Sequence, residues 1–218
     1  MKTERVVVVG AGGFARELRW LIQELAGTTR AGGVSYEVVG FVTSSVPERP
    51  PRDWLGDFDW LEKEQGKYDR FGMGIGNPQT RERLFRELES IAPEDRWPAF
   101  IHPTARFDAG TCRIGYGTAV CAGTIITVDA VVEPLALLNL NVTVGHDATV
   151  GRASVLNPTV NVSGAATIGR CCLIGTGAQL LQGVHVADGG TVGAGAVVRQ
   201  DVEPNQTVVG VPAKPIRR

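Results

Sequence analysis

Hydrophobic and polar residues follow two different patterns along this chain. Over residues 1–97, short apolar runs are separated by segments in which apolar residues recur at helical spacing. From Ile114 to Val198, a branched aliphatic residue returns at every sixth position without interruption. The change of pattern predicts two domains with different folds, one over residues 1–97 and one over residues 98–218.

The first pattern predicts strands that alternate with helices. Apolar runs at residues 5–10, 36–42 and 70–76 each have the composition of a buried strand. Asn77 followed by Pro78 is typical of a helix N-terminus. Alternation of this kind favours a small parallel α/β sheet, half of a Rossmann-like fold. The first helix is expected to bury one face, made of Phe14, Leu18, Leu21, Ile22 and Leu25.

The second pattern predicts a parallel β-helix. All fifteen first positions of the hexads are Ile, Leu or Val, and the fifth positions are small residues or valine. The fifth position of one hexad and the first of the next lie two residues apart on a strand, so both point inward. The third and fourth positions then turn a corner, and three strands close one coil. Five such coils give a prism about 24 Å tall, which Ile101 and Phe107 extend backward. A β-sandwich would not keep one frame over so long a segment.

Charge and composition narrow the class of partner. The 22 basic and 23 acidic residues are spread along the chain, so neither a nucleic-acid nor an anionic-membrane surface is predicted. No apolar run approaches a membrane span and the N-terminus does not resemble a signal peptide, so we expect a cytoplasmic protein with small-molecule partners. The cysteines lack metal-site spacing and are expected to be reduced thiols with no metal: Cys112, Cys121, Cys171 and Cys172.

One of the three histidines stands at a predicted corner. His146 and Asp147 are the third and fourth residues of their hexad, which leaves both side chains outside the core. An imidazole titrates near pH 6.5 in model peptides, so it can act as a general base, and a carboxylate beside it can orient it. An exposed histidine without a role is the alternative. We expect His102 and His185 to have structural roles or to face solvent. The three histidines lie on different corners or at different hexad positions, so a zinc-dependent hydratase is not favoured.

Several motifs carry a family resemblance. The runs NVTVGHD and VGVPAK, behind an amino-terminal VVGAGGFARE, resemble the hexapeptide-repeat sugar O/N-acetyltransferases of the sialic-acid/bacillosamine family over essentially the whole chain. The resemblance implies a left-handed parallel β-helix and a homotrimer with active sites between subunits. It also implies acetyl-CoA as co-substrate and a nucleotide-linked amino sugar or sialic acid as acceptor. The resemblance further implies a role in surface polysaccharide biosynthesis.

The resemblance also implies roles for particular residues. His146 matches the catalytic base of the family and Asp147 its acidic companion, while Asn139 matches an asparagine of the acceptor site. Acetyl-CoA is expected along the prism, where residues 18 apart stack. Small residues in two such columns leave main-chain N–H groups open to the cofactor. These cofactor-binding candidates are Gly164, in the column of His146, and Thr176 and Ala194, in another.

The motif GAGGFA follows the first predicted strand and satisfies the dinucleotide fingerprint. Thr43 and Ser44 stand where a ribose-binding acid is expected, which argues against NAD. We expect instead that free N–H groups of Gly10, Gly12 and Gly13 hold the diphosphate of a sugar nucleotide. Phe14, the next residue, is a further acceptor-binding candidate.

Two departures from the family leave the nucleotide open. Many relatives carry Asp-Asp after the second strand and a histidine where Phe14 stands. Acetylation of an amine on a nucleotide-linked sugar is the leading interpretation. Acetylation of a sugar hydroxyl and a trimeric sugar-nucleotide-binding scaffold are the alternatives.

Overall fold

The structure, a computed structural model, describes residues 2–25 and 34–216. Its N-terminal domain is built on a four-stranded parallel sheet in the order β3-β2-β1-β4. The sheet and its helices comprise β1 (Lys2–Val9), α1 (Gly13–Leu25), β2 (Val34–Thr43), β3 (Trp54–Asp57), α2 (Phe58–Lys63), β4 (Arg70–Met73) and α3 (Pro78–Leu88), with short 3₁₀ turns at Gln65–Lys67 and Glu94–Arg96.

The helix signals of the sequence are confirmed. The Asn77 side chain accepts a hydrogen bond of 2.9 Å from the N–H of Thr80, and Pro78 is the first residue of α3. Helix α1 buries the predicted face, except that Phe14 is only half-buried and Ala15 is packed into the core.

One strand of the sheet was not predicted. Strand β3 is only four residues long, lacks alternation, and pairs with β2 across a register shift at Phe41 and Val42. It is an edge strand that depends on β2, so tertiary contact rather than local pattern determines it.

The second domain is a parallel β-helix of two-residue strands, as the six-residue period predicts. Most partners lie 18 residues apart, as in the pair Leu137 and Val155, whereas those of the first coil lie 19 apart, as in Phe100 and Ala119. The strands are β5 Phe100–Ile101, β6 Arg106–Phe107, β7 Arg113–Ile114, β8 Ala119–Val120, β9 Ile125–Ile126, β10 Val131–Val132, β11 Leu137–Leu138, β12 Thr143–Val144, β13 Thr149–Val150, β14 Val155–Leu156, β15 Asn161–Val162, β16 Thr167–Ile168, β17 Leu173–Ile174, β18 Gln179–Leu180, β19 His185–Val186, β20 Thr191–Val192 and β21 Val197–Val198, followed by β22 (Thr207–Val209) and β23 (Lys214–Pro215).

The strands form three faces that meet at three corners. We call the sheet that runs from β5 through β11 to β22 the docked face, because the N-terminal domain packs on it. The sheet that contains β12 is the second face, and the one that contains β13 is the third face. The chain passes from the docked to the second face at the first corner, and from the second to the third face at the second corner.

The interior confirms the repeat. The first and fifth positions of the hexads are buried throughout, apart from a half-buried Ile114 at the open end. The fourth position has a left-handed backbone at every corner from Gly117 to Gly195, including non-glycine residues such as Leu135 and Thr159. The repeated coil thus imposes a conformation that side chains usually avoid.

The two domains share packed surfaces. Trp97 is buried in the same cluster as Leu135 and Ala153 of the β-helix, and Phe100 opens the first strand of the helix three residues later.

Arg81 of α3 adds a polar link between the domains. Its Nε and Nη2 atoms donate to the carbonyl oxygen of Leu135 at 2.9 and 2.7 Å, and Nη1 donates to Met73 and Ile75 at 3.1 and 2.6 Å. Complete burial lowers the pKa of the Arg81 guanidinium to about 9, so it carries its charge at neutral pH.

Candidate active site

His146 and Asp147 form the turn of the second corner. The Nδ1 atom of His146 lies 2.7 Å from Oδ2 of Asp147, and both side chains are more than half exposed. Asp147 has a φ of 59°, and its N–H donates to the carbonyl of Val128 at 3.2 Å. The carboxylate accepts from Nδ1–H, so Nε2 of the neutral ring is left as the proton acceptor.

Gly164 lies directly above His146, as the 18-residue spacing predicts. The N–H of Ala165 donates to the carbonyl of His146 at 2.7 Å, which ties one coil to the next. A Cβ on Gly164 would stand 2.5 Å from Cε1 of the imidazole and in contact with Nε2. The ring can therefore occupy its place only because residue 164 has no side chain.

Asn139 lies near the first corner rather than the second. It follows strand β11, is largely buried, and its Oδ1 accepts from the N–H of Leu140 at 2.7 Å. Strand β12 of the second face separates it from His146 along the chain. Within one chain, the two residues therefore lie on different corners of the prism.

Thr176 and Ala194 stack in a column of the first corner. The N–H of Gly195 donates to the carbonyl of Thr176 at 2.8 Å, and both Thr176 and Ala194 are exposed. The proposed cofactor residues thus divide between two corners, with Gly164 at the second and these two at the first.

The glycine loop differs in one respect from the prediction. Gly10 has a φ of 106°, and its N–H donates to the carbonyl of Val42 at 2.7 Å. The expectation of a free N–H at Gly10 is wrong, because this bond anchors the loop to β2. At Gly12 and Gly13 an added Cβ would meet nothing within 4 Å, so an approaching ligand has space there.

The half-buried Phe14 connects this loop to the interdomain arginine. The Arg81 guanidinium carbon lies 5.9 Å from the centre of the Phe14 ring. Sequence reasoning missed Arg81, because one arginine in a charged helix gives no local sign of burial. A positive charge consequently lies beneath the predicted diphosphate loop.

Comparisons with known proteins identify the family. Residues 5–88 match the PglD N-terminal domain. The structure resembles perosamine N-acetyltransferase from Caulobacter crescentus, solved as a histidine variant with CoA and GDP-perosamine, at 30% identity and a TM-score of 0.82, covering 98% of this chain and 97% of that one. The chain belongs to the PglD-like family of sugar acetyltransferases.

Further relatives agree with this assignment. The acetyltransferase domain of PglB from Neisseria gonorrhoeae is 28% identical, with a TM-score of 0.82 over 98% of this chain and 100% of that one. A Schizosaccharomyces pombe protein to which acetyltransferase activity is ascribed is 53% identical over 44 residues, 20% of this chain and 21% of that protein. The predicted class of enzyme and the left-handed parallel β-helix behind an α/β domain are confirmed.

Other features of this PglD-like enzyme concern metals and membranes. The four cysteines are free thiols. Within residues 2–25 and 34–216, no group of three or more His, Cys, Asp or Glu side chains is placed to hold a metal ion. None of the helices in the same ranges has the length and apolar character needed to cross a membrane.

Proposed function

We propose that this protein transfers the acetyl group of acetyl-CoA to the amine of a nucleotide-linked amino sugar, with His146 as general base. The observation that carries the proposal is the corner formed by His146, Asp147 and Gly164, which leaves Nε2 free to accept a proton. The comparisons support the substrates: the perosamine enzyme binds CoA and GDP-perosamine, and the PglB domain binds acetyl-CoA.

The reaction needs no covalent enzyme intermediate. The neutral amine attacks the thioester carbonyl, and Nε2 of His146 takes the proton that the nitrogen loses as the C–N bond forms. The C–S bond then breaks, and the departing CoA thiolate receives that proton. Asp147 stabilises the imidazolium between the two steps through its bond to Nδ1.

Main-chain donors are available for the oxyanion. In the described part of the chain, the N–H groups of Gly164 and Ala194 donate to no protein acceptor. Gly164 offers its donor beside the imidazole, whereas Ala194 lies in the other column. Preorganised N–H donors of this kind stabilise the charge that develops on a thioester oxygen.

The separation of the two corners supports an active site that is shared between copies of the chain. We propose that His146 of one subunit faces Asn139 and the column of Thr176 and Ala194 of its neighbour in a homotrimer. Exposed apolar residues lie along the second face and its corner with the third face, where a neighbouring subunit would cover them: Ile125, Val128 and Leu181 are each 44% exposed.

The acceptor is proposed to bind by its diphosphate at Gly12 and Gly13. Both glycines stand at the start of α1, where main-chain donors and the helix dipole favour anions. The buried charge of Arg81 increases the positive potential under this loop.

Two other functions use the same architecture. Acetylation of a sialic acid or another sugar hydroxyl would use the same base, and the geometry of His146 suits either nucleophile. A scaffold that binds sugar nucleotides without catalysis would not require the paired His146 and Asp147 at an open corner.

An acceptor panel tests the proposal. The purified protein is incubated with acetyl-CoA and a thiol reagent, in separate reactions with GDP-perosamine, UDP- and dTDP-linked 4-amino sugars, and free sialic acid. We expect CoA release and an N-acetylated product with at least one amino sugar. Release with sialic acid alone would favour hydroxyl acetylation, and sugar-nucleotide binding without any turnover would favour the scaffold.

A further inference from the structure

A small cavity lies between α1 and the first corner, immediately beside Asn139. Its volume is about 120 Å³, similar in scale to cavities that hold a small organic group. The walls are mostly apolar, with Trp20, Leu21 and Leu140 among them. Cys121 also lines the cavity, and burial raises the pKa of its thiol to about 12, so this wall is uncharged at neutral pH.

His102, another residue of the cavity wall, has a buried polar atom that lacks a partner. Its Nδ1 accepts from the N–H of Thr104 at 3.1 Å and lies 2.9 Å from the Thr104 hydroxyl, whose oxygen accepts from Gly123. The proton of the neutral ring is therefore on Nε2. His102 is only 7% exposed, and its Nε2 has no hydrogen-bond partner in residues 2–25 and 34–216.

The residues that line the cavity determine which chemical group would bind there. A buried N–H without a partner favours a ligand with an acceptor oxygen, and the apolar walls favour a methyl-sized group next to it. Among the described residues, neither a lysine nor an arginine lines the cavity, whereas Glu17 does, so an anionic group is disfavoured. A carbonyl that carries a methyl group meets all these conditions.

We propose that this cavity binds an acetyl-sized acyl group, with the carbonyl oxygen on His102 and the methyl group against Trp20 and Leu140. This inference rests on the proposed function, which brings the acceptor sugar to Asn139. The acyl group has two possible sources: an acetamido substituent already on the acceptor sugar, or the acetyl group that acetyl-CoA delivers.

The test compares three variants with the wild type. His102→Phe removes the donor, His102→Gln keeps an N–H donor, and Ala122→Leu fills the cavity from its corner wall. His185→Phe, on the exposed third face, is the matched control. KM and kcat are measured with GDP-perosamine, which has no acetamido group, and with a UDP-linked 2-acetamido-4-amino sugar, each with acetyl-CoA and propionyl-CoA.

We expect His102→Phe and Ala122→Leu to raise the KM of either the sugar nucleotide or acetyl-CoA about tenfold, which corresponds to the loss of one hydrogen bond. His102→Gln should recover part of this loss. An increase confined to the acetamido sugar assigns the cavity to the acceptor. An increase in the KM of acetyl-CoA with both sugars assigns it to the transferred group.

Two results separate this inference from the proposed function. If the wild type acetylates these sugars and the folded variants keep every KM within about twofold of its values, the cavity is not a ligand site. If the wild type acetylates no sugar with either donor, the proposed function itself fails, and this inference fails with it.

Discussion

The imidazole of His146 lies against Gly164 of the next coil, in the space that any side chain at residue 164 would occupy. Gly164→Ala should therefore move the ring while leaving the coil intact. We predict a fall in kcat of about a hundredfold, because displacements of about 1 Å in a catalytic group have effects of that size. Steady-state kinetics, with circular dichroism as a check on folding, measure the effect.

Gly110→Ala is the matched control for that substitution. It lies in the same domain, and its nearest neighbour would be Oδ1 of Asp108 at an ordinary 3.4 Å. Equal rates for wild type, Gly164→Ala and Gly110→Ala would show that the position of the ring does not matter.

Asp147 holds the imidazole through a 2.7 Å bond to Nδ1. Asp147→Asn keeps the size of the side chain but removes the negative charge that we propose stabilises the imidazolium. We predict a loss of more than about tenfold in kcat with little change in the KM of acetyl-CoA. A variant that changed KM alone would assign Asp147 to binding rather than to the base.

The hexad repeat predicted the register of the β-helix because each coil is determined locally. A residue such as Leu138 and its partner one coil away are fixed by the same six-residue rule, so one frame describes the whole prism. His146 and Asp147 could be placed at a corner for the same reason.

Contacts between distant segments could not be predicted in this way. The bond from Gly10 to Val42 depends on how β1 pairs with β2, and the burial of Arg81 depends on its contact with Leu135, 54 residues away. The orphan donor of His102 likewise arises from the packing of α1 on the first corner. None of these contacts has a periodic signature.

The proposal that the active site is shared between subunits of a trimer can be tested by complementation. His146→Ala and Asn139→Ala should each be nearly inactive alone, because each removes one half of every site. Co-expression should restore measurable activity, since mixed trimers contain some sites with both residues intact. Separately purified proteins mixed without subunit exchange serve as the control. Inactive mixed trimers would indicate that both residues act within one chain.

Arg81 links the end of the N-terminal sheet where we propose the nucleotide binds to the strand that leads to Asn139. Arg81→Lys keeps the charge but loses the planar set of donors, and each carbonyl left unpaired costs about 1–3 kcal/mol. We predict a higher KM for the sugar nucleotide and an unchanged KM for acetyl-CoA, together with a lower melting temperature.

The control for Arg81 is Arg96→Lys. Arg96 likewise donates to several carbonyls, those of Tyr68, Asp69 and Ile91, but all of them lie within the N-terminal domain. The Arg96→Lys variant should have a lower melting temperature but an unchanged KM for the sugar nucleotide. If Arg81→Lys and Arg96→Lys had the same KM for the sugar nucleotide, Arg81 would contribute to the stability of the fold and not to binding of the nucleotide.

The most direct test of the account is the turnover of His146→Asn at saturating acetyl-CoA with the acceptor that the wild type uses best. His185→Asn, an exposed histidine on the third face, is the control. A general base contributes about 10² to 10⁴ in rate, and we predict a loss of that size in His146→Asn alone. Turnover close to that of the wild type would contradict the assignment of His146 as the base.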